Sequence, residues 1–168
     1  MDLILWRHAE AAEGEVDLVR ELTRRGEHQA RDMAAWLAPR LPAGARVFTS
    51  EARRSRQTAR YLERPAQILP ELNPDQPWQR VWEALDWPQC GETLVVVGHQ
   101  PWLGQIASRL LCGEAQYWTV KKSGLWWFGH RSRHGDVQTI LRGINIYLPK
   151  NITYADQQRV WQIGRAHV

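Results

Sequence analysis

Thr93-Leu94-Val95-Val96-Val97-Gly98-His99 decides how this chain is read. The stretch Thr93 to Val97 is uncharged, rich in β-branched side chains, and has no polar alternation. It predicts a strand buried on both faces, as in the middle of a parallel sheet covered by helices. Gly98 ends that strand and His99 leaves it. Beyond it, Pro101 is placed for the first helical position and Gly113 for the closing one. Between them Leu103, Ile106, Ala107, Leu110 and Leu111 form an apolar stripe at helical spacing.

The same alternation runs back to the N-terminus. Asp2 to Trp6 (DLILW) reads as a short buried strand. Thr23 caps a predicted helix over Arg24 to Ala38, whose stripe is Ala30, Met33, Ala34, Leu37 and Leu41 and whose stop is Pro39. Arg46 to Thr49 reads as another strand. Ser50 is the expected N-cap of the helix that follows, with Ala52, Ser55, Ala59 and Leu62 inward. Pro65, Pro70, Pro74 and Pro77 mark loop. Trp78 to Trp87 reads as a helix with Val81, Trp82 and Leu85 on one face. On the C-terminal side, Gly124 to Phe128 and Val137 to Leu141 read as two strands around a polar turn at Arg131 to Gly135. The fold class that follows is α/β: a three-layer α/β/α sandwich with a mainly parallel central sheet and an antiparallel hairpin at its edge. Residues 1–150 read as one domain, and 151–168 as a C-terminal tail with no assigned structure.

Composition agrees. The chain has 168 residues, 43% hydrophobic and 24% charged, a globular balance for one domain. No run approaches the roughly 18 apolar residues of a membrane span. The N-terminus does not read as a signal peptide, because Asp2 and Arg7 enclose too short an apolar run. Cys90 and Cys112 lack a CxxC partner, so a reducing cytoplasm is the expected compartment. Twenty-two Lys and Arg against 18 Asp and Glu give a net charge of +4. With no nucleic-acid-binding signature, that excess predicts an anionic ligand or a solvated surface, with neither a nucleic-acid nor a membrane partner.

In open α/β sheets ligands bind beyond the carboxyl ends of the strands. Arg7, His8, Ala9 and Glu10 follow the first strand. Ser50, and then Arg54, follow the second. Gly98 and His99 follow the third. Two arginines are a planar pair of forks for a phosphoryl dianion. A histidine that is neutral on its attacking nitrogen can take up a phosphoryl group, and a second can stabilise the transferring charge. The carboxylates do not cluster with the histidines at metal-ligand spacing, so neither a metal nor another cofactor is expected.

These residues resemble a known family. Leu5-Trp6-Arg7-His8-Ala9-Glu10 is similar to the Arg-His-Gly signature of the histidine phosphatase superfamily, which includes the phosphoglycerate mutases. Leu22-Thr23-x-x-Gly26-x-x-Gln29-Ala30, Thr49-Ser50-x-x-x-Arg54-x-x-Gln57-Thr58-Ala59 and Val97-Gly98-His99-Gln100-Pro101 resemble its later blocks, in the family's order. The short chain and Leu69-Pro70-Glu71-Leu72-Asn73-Pro74 are most similar to the SixA-type phosphohistidine phosphatases. Ala9 stands where most members have glycine.

The resemblance implies a metal-independent phosphatase in which His8 becomes transiently phosphorylated. Arg7, Arg54 and His99 would hold the phosphoryl oxygens, with Ser50 near them. Spacing favours Arg54 over its neighbours Arg53 and Arg56. Glu71 is the best-placed candidate for a general acid, ahead of Glu10 and Glu13. The expected substrate is phosphohistidine on a protein such as a phosphotransfer domain, and the pocket is expected to accept phosphate or sulfate. The alternatives are an enzyme on small-molecule phosphate esters and a phosphoprotein-binding module without turnover.

Overall fold

A computed structural model describes residues 1–147. The expected tail, 151–168, lies outside the described residues. Strands β1 (Asp2–Arg7), β2 (Arg46–Thr49), β3 (Ala66–Ile68), β4 (Leu94–Gly98), β5 (Leu125–Arg133) and β6 (Asp136–Asn145) form one sheet. Their order is β3-β2-β4-β1-β5-β6. The first four run parallel, β5 joins β1 antiparallel, and β6 completes the hairpin. Helices α1 (Arg24–Leu37), α2 (Arg53–Arg60), α3 (Trp78–Leu85) and α4 (Trp102–Cys112) cover both faces.

Side-chain alternation along the central strands creates the layers. Leu3, Leu5, Phe48, Leu94 and Val96 turn to one side and pack with Val81 and Leu85 of α3 and with Leu103 and Ile106 of α4. Ile4, Trp6, Val47, Val95 and Val97 turn to the other and pack with Met33, Ala34 and Leu37 of α1 and with Ala59 of α2. All five residues of β4 are buried, as a central strand requires.

The structure corrects several sequence expectations. Ser50 does not cap α2: the N-cap is Ala52, and the helix opens at Arg53. Pro101 is the N-cap of α4, not its first helical residue. In its place the Gln100 side chain caps, accepting from the Gly104 N–H at 2.9 Å. Helix α3 ends at Leu85 and not at Trp87, because Asp86 turns left-handed at φ 48° and Trp87 precedes a proline. The segment read as proline-rich loop contains β3, an edge strand whose three residues are all exposed and so carry no apolar signal. The hairpin strands are longer than expected. The polar run read as a turn is mostly paired, down to Arg133 opposite Asp136. The turn itself is His134-Gly135, both at positive φ, the geometry of a two-residue hairpin.

Candidate active site

Pairing register brings the site together. Arg7 of β1 and Gly98 of β4 are partners, and the His8 N–H donates to the Gly98 carbonyl at 3.1 Å. His8 and His99 therefore leave neighbouring parallel strands side by side, with ring centroids 5.0 Å apart. Thr49 pairs with Val97, so Ser50 leaves β2 at the same edge. Gly98 permits the closeness on this side, since a Cβ there would overlap the indole of Trp102, which is fully buried and packs edge-on against His99.

Arg54 reaches in from the first turn of α2. Its Nε donates to His8 Nε2 at 3.3 Å, and its Nη2 lies 3.4 Å from His99 Nδ1. A guanidinium only donates, so both ring nitrogens act as acceptors. His8 then carries its proton on Nδ1, which donates to the Ala9 carbonyl at 2.7 Å. His99 carries its proton on Nε2, which lies 2.7 Å from Ser50 Oγ and 3.1 Å from Ser55 Oγ. The lone pairs of both rings face Arg54.

Burial disfavours the charged forms. Desolvation is the largest influence on His8 and outweighs the bond to Ala9; with the nearby Arg54 and Arg7 charges it lowers the pKa to about 3. Desolvation also dominates at His99, reinforced by His8, Arg54 and Arg7, and lowers the pKa to about 2. Both rings are neutral at physiological pH.

Arg7 is anchored by one donor, Nη1 to the Val120 carbonyl at 2.7 Å, and its buried Nε has no hydrogen-bond partner among the described residues. The 120–124 segment is tied to β1 in turn. Ser123 N donates to the His8 carbonyl, Arg7 N to the Gly124 carbonyl, and the Trp6 indole to the Ser123 carbonyl. Thr58 fixes the residue after the nucleophile candidate: its Oγ1 accepts from Ala9 N at 3.1 Å and donates to the Arg54 carbonyl at 2.7 Å. Ala9 is fully buried and has no positive φ, so the backbone there makes no demand for glycine.

The structure thus groups His8, Arg54, His99 and Ser50, with Arg7 beside them. Arg53 points elsewhere and pairs with Glu21 at the surface. Glu71 sits on the 3-10 turn Pro70–Leu72, with no hydrogen bond or ion pair to Arg7, His8, Arg54 or His99 among the described residues. Glu10 is bonded to Thr23 and lies 3.9 Å from Arg25, and Glu13 lies 3.8 Å from Arg20. Sequence reading missed three residues. Ser55 carries only an inward-stripe signal and Thr58 only a motif position, and Asp17, whose carboxylate accepts from Arg54, stands in no motif or stripe. No group of three or more His, Cys, Asp or Glu among the described residues is arranged to hold a metal ion.

Comparison with known proteins agrees with this picture. The family profile described as "Histidine phosphatase superfamily (branch 1)" matches residues 3–77. Two uncharacterized proteins of Mycobacterium tuberculosis are 35% identical over a match that covers 60% of this chain and 66% of theirs, just under two thirds of their length. The solved structure of the protein histidine phosphatase SixA complexed with tungstate is 26% identical, with a TM-score of 0.72 over 86% of this chain and 96% of that one. A phosphoserine phosphatase from Entamoeba histolytica (19% identity, TM-score 0.67, 87% and 97% covered) and an alpha-ribazole phosphatase from Shigella flexneri (19%, 0.64, 84% and 95%) share the fold. Motif order, strand-end geometry and these likenesses converge: residues 3–77 match the histidine phosphatase superfamily profile, and the fold as a whole resembles SixA.

Proposed function

We propose that this chain is a phosphatase that works through a phosphohistidine intermediate on His8, and that it acts on phosphohistidine carried by a protein. The observation that carries the reading is the direction of the His8 lone pair. Nε2 accepts from Arg54 while Nδ1 is committed to the Ala9 carbonyl. A nucleophile needs that arrangement: neutral, with the attacking nitrogen facing the cationic fork.

In the first step the Nε2 lone pair attacks phosphorus and the bond from phosphorus to the leaving nitrogen breaks. The departing imidazole keeps the bonding pair and ends neutral if its other nitrogen entered protonated. In the second step water attacks phospho-His8. The P–N bond breaks, orthophosphate leaves, and the neutral ring returns. Arg54 and Arg7 hold the equatorial oxygens, with Arg7 Nε, unpartnered among the described residues, as one available donor. His99, held by Ser50 and Ser55, offers Nδ1 to the same group and takes a proton as the dianion arrives.

The choice of a phosphoramidate rests on the carboxylates. An alkoxide leaving group needs a proton donor in the site, whereas an imidazole whose other nitrogen is already protonated leaves neutral without one. Neither Glu71 nor Glu10 is tied to the histidines, and the carboxylate that touches Arg54, Asp17, is held ionised. Likeness to a structure named for protein histidine phosphatase activity points the same way. Two free cysteines fit a reducing cytoplasm. Catalysis on small phosphate esters is the competing reading, since phosphatases of that kind share the fold.

The deciding experiment compares turnover of a phosphohistidine-bearing phosphotransfer domain with that of phosphoserine and p-nitrophenyl phosphate. The expected result is preference for the phosphoprotein, an acid-labile phosphoenzyme, and loss of both in His8→Ala. Good ester turnover with none on phosphohistidine would sink the substrate assignment. Full activity in His8→Ala would sink the mechanism.

A further inference from the structure

The exposed 3-10 turn Asp17–Val19, between β1 and α1, reaches Arg54 of the site through Asp17. Arg54 Nη1 donates to the Asp17 carbonyl oxygen at 2.8 Å, and Nη2 donates to Asp17 Oδ2 at 3.0 Å. A guanidinium offers two bidentate edges, an end formed by Nη1 and Nη2 and a side formed by Nε and one Nη. Asp17 occupies the end. The side, Nε and Nη2, is the edge turned to His8 and His99. We propose that Asp17 is a positioning residue that clamps the end of Arg54 and so presents the Nε–Nη2 edge to the phosphoryl group transferred at His8. This rests on the phosphotransfer reading of His8 given above.

Asp17 is itself held. Arg20 Nη1 donates to its other carboxylate oxygen at 3.0 Å, and Arg20 Nε donates to the Ala12 carbonyl at 2.8 Å. Each carboxylate oxygen therefore serves one arginine, and the Arg20 bond ties the 3-10 turn Asp17–Val19 back to the start of its own loop. The two partners differ in exposure: the Arg54 side chain is 5% exposed and the Asp17 side chain 50%. The clamp therefore comes from the surface onto a buried group whose long side chain has several rotamers to lose. Partial burial alone would raise the Asp17 pKa, but bonds from Arg54 and Arg20 and their charges outweigh it and hold the carboxyl below its usual range. The clamp is ionised through neutral pH.

Orthovanadate gives the readout that separates positioning from folding. It mimics the transferring phosphoryl group, and its inhibition constant does not change when a sample merely contains less folded enzyme. With the full chain, Asp17→Ala is expected to lower kcat/KM on the phosphohistidine protein on the order of 10- to 100-fold, and to weaken orthovanadate inhibition by a similar factor. Asp17→Asn keeps an oxygen for Nη2 and is expected to regain part of both losses. The clamp is wrong if Asp17→Ala stays within about twofold of wild type on both measures, or if kcat/KM falls while orthovanadate inhibition is unchanged. Equal losses in the Asn and Ala variants would reassign the effect to charge and also overturn it. His8→Ala, run alongside, keeps the two questions apart: if it retains activity the phosphotransfer reading itself fails, and if it is inactive while Asp17→Ala is normal only the clamp fails.

Discussion

Arg53 and Arg54 are adjacent in sequence and differ entirely in what they touch. Arg54 is 4% exposed, bonded to His8 and Asp17, while Arg53 is half exposed in a surface pair with Glu21. The difference follows from helix geometry, because successive residues project about 100° apart and only one can face the strand ends. Arg54→Ala is expected to cost on the order of 10³-fold in kcat, since a guanidinium on a transferring phosphoryl group is worth that much. Arg53→Ala is expected to stay within about twofold, because exposed ion pairs contribute roughly 0–1 kcal/mol. Steady-state kinetics on one phosphorylated substrate checks both, and a large loss in Arg53→Ala would reverse the assignment. At this scale the histidines and Arg54 were legible because they follow strands at fixed offsets. Asp17 was not. Half of its contact is a main-chain carbonyl, which no residue type encodes, and its partner lies 37 positions away.

Among elements, the docking of α1 onto the segment after β1 shows why one family block has its spelling. Thr23 accepts from Gly26 N and caps the helix. Thr23 N donates to the Glu10 carbonyl at 3.0 Å, and Gln29 Oε1 accepts from Glu10 N at 3.0 Å. A Cβ on Gly26 would overlap that same Glu10 carbonyl, which is backbone and cannot swing away. Gly26→Ala is therefore expected to destabilise the protein by about 1–3 kcal/mol as the helix start is forced off the strand end. A urea midpoint equal to wild type would show that the helix shifts freely. Elements with a buried face were legible from their stripes. The edge strand β3 and the outer half of the hairpin were not, because their residues are exposed and their order comes from main-chain pairing alone.

The whole molecule places two neutral imidazoles inside its fold, and this links stability to pH. In the unfolded chain both histidines have ordinary values near 6.5, whereas in the fold His8 is lowered to about 3 and His99 to about 2. Above about pH 6.5 the rings are neutral in both states and contribute no slope. As pH falls below that value the unfolded chain takes up protons that the folded one refuses, so stability declines progressively toward the folded values. Asp17, lowered by its two arginines, adds to the same acid limb at lower pH. Urea denaturation from pH 7.5 to 5 is expected to show that decline, and a His8→Gln, His99→Gln double variant is expected to flatten it. Orthophosphate should oppose the decline. An anion bound to the folded state alone stabilises it by about 2.7 kcal/mol at 100 times its dissociation constant. Its charge also favours the protonated imidazole, so the gain at fixed saturation should come with proton uptake. Calorimetry of the binding of sulfate, which stays a dianion between pH 6 and 7, in buffers of different ionisation enthalpy measures that uptake directly. Binding without proton exchange between pH 6 and 7 would mean that the anion does not reach His99, and that the pocket lies elsewhere.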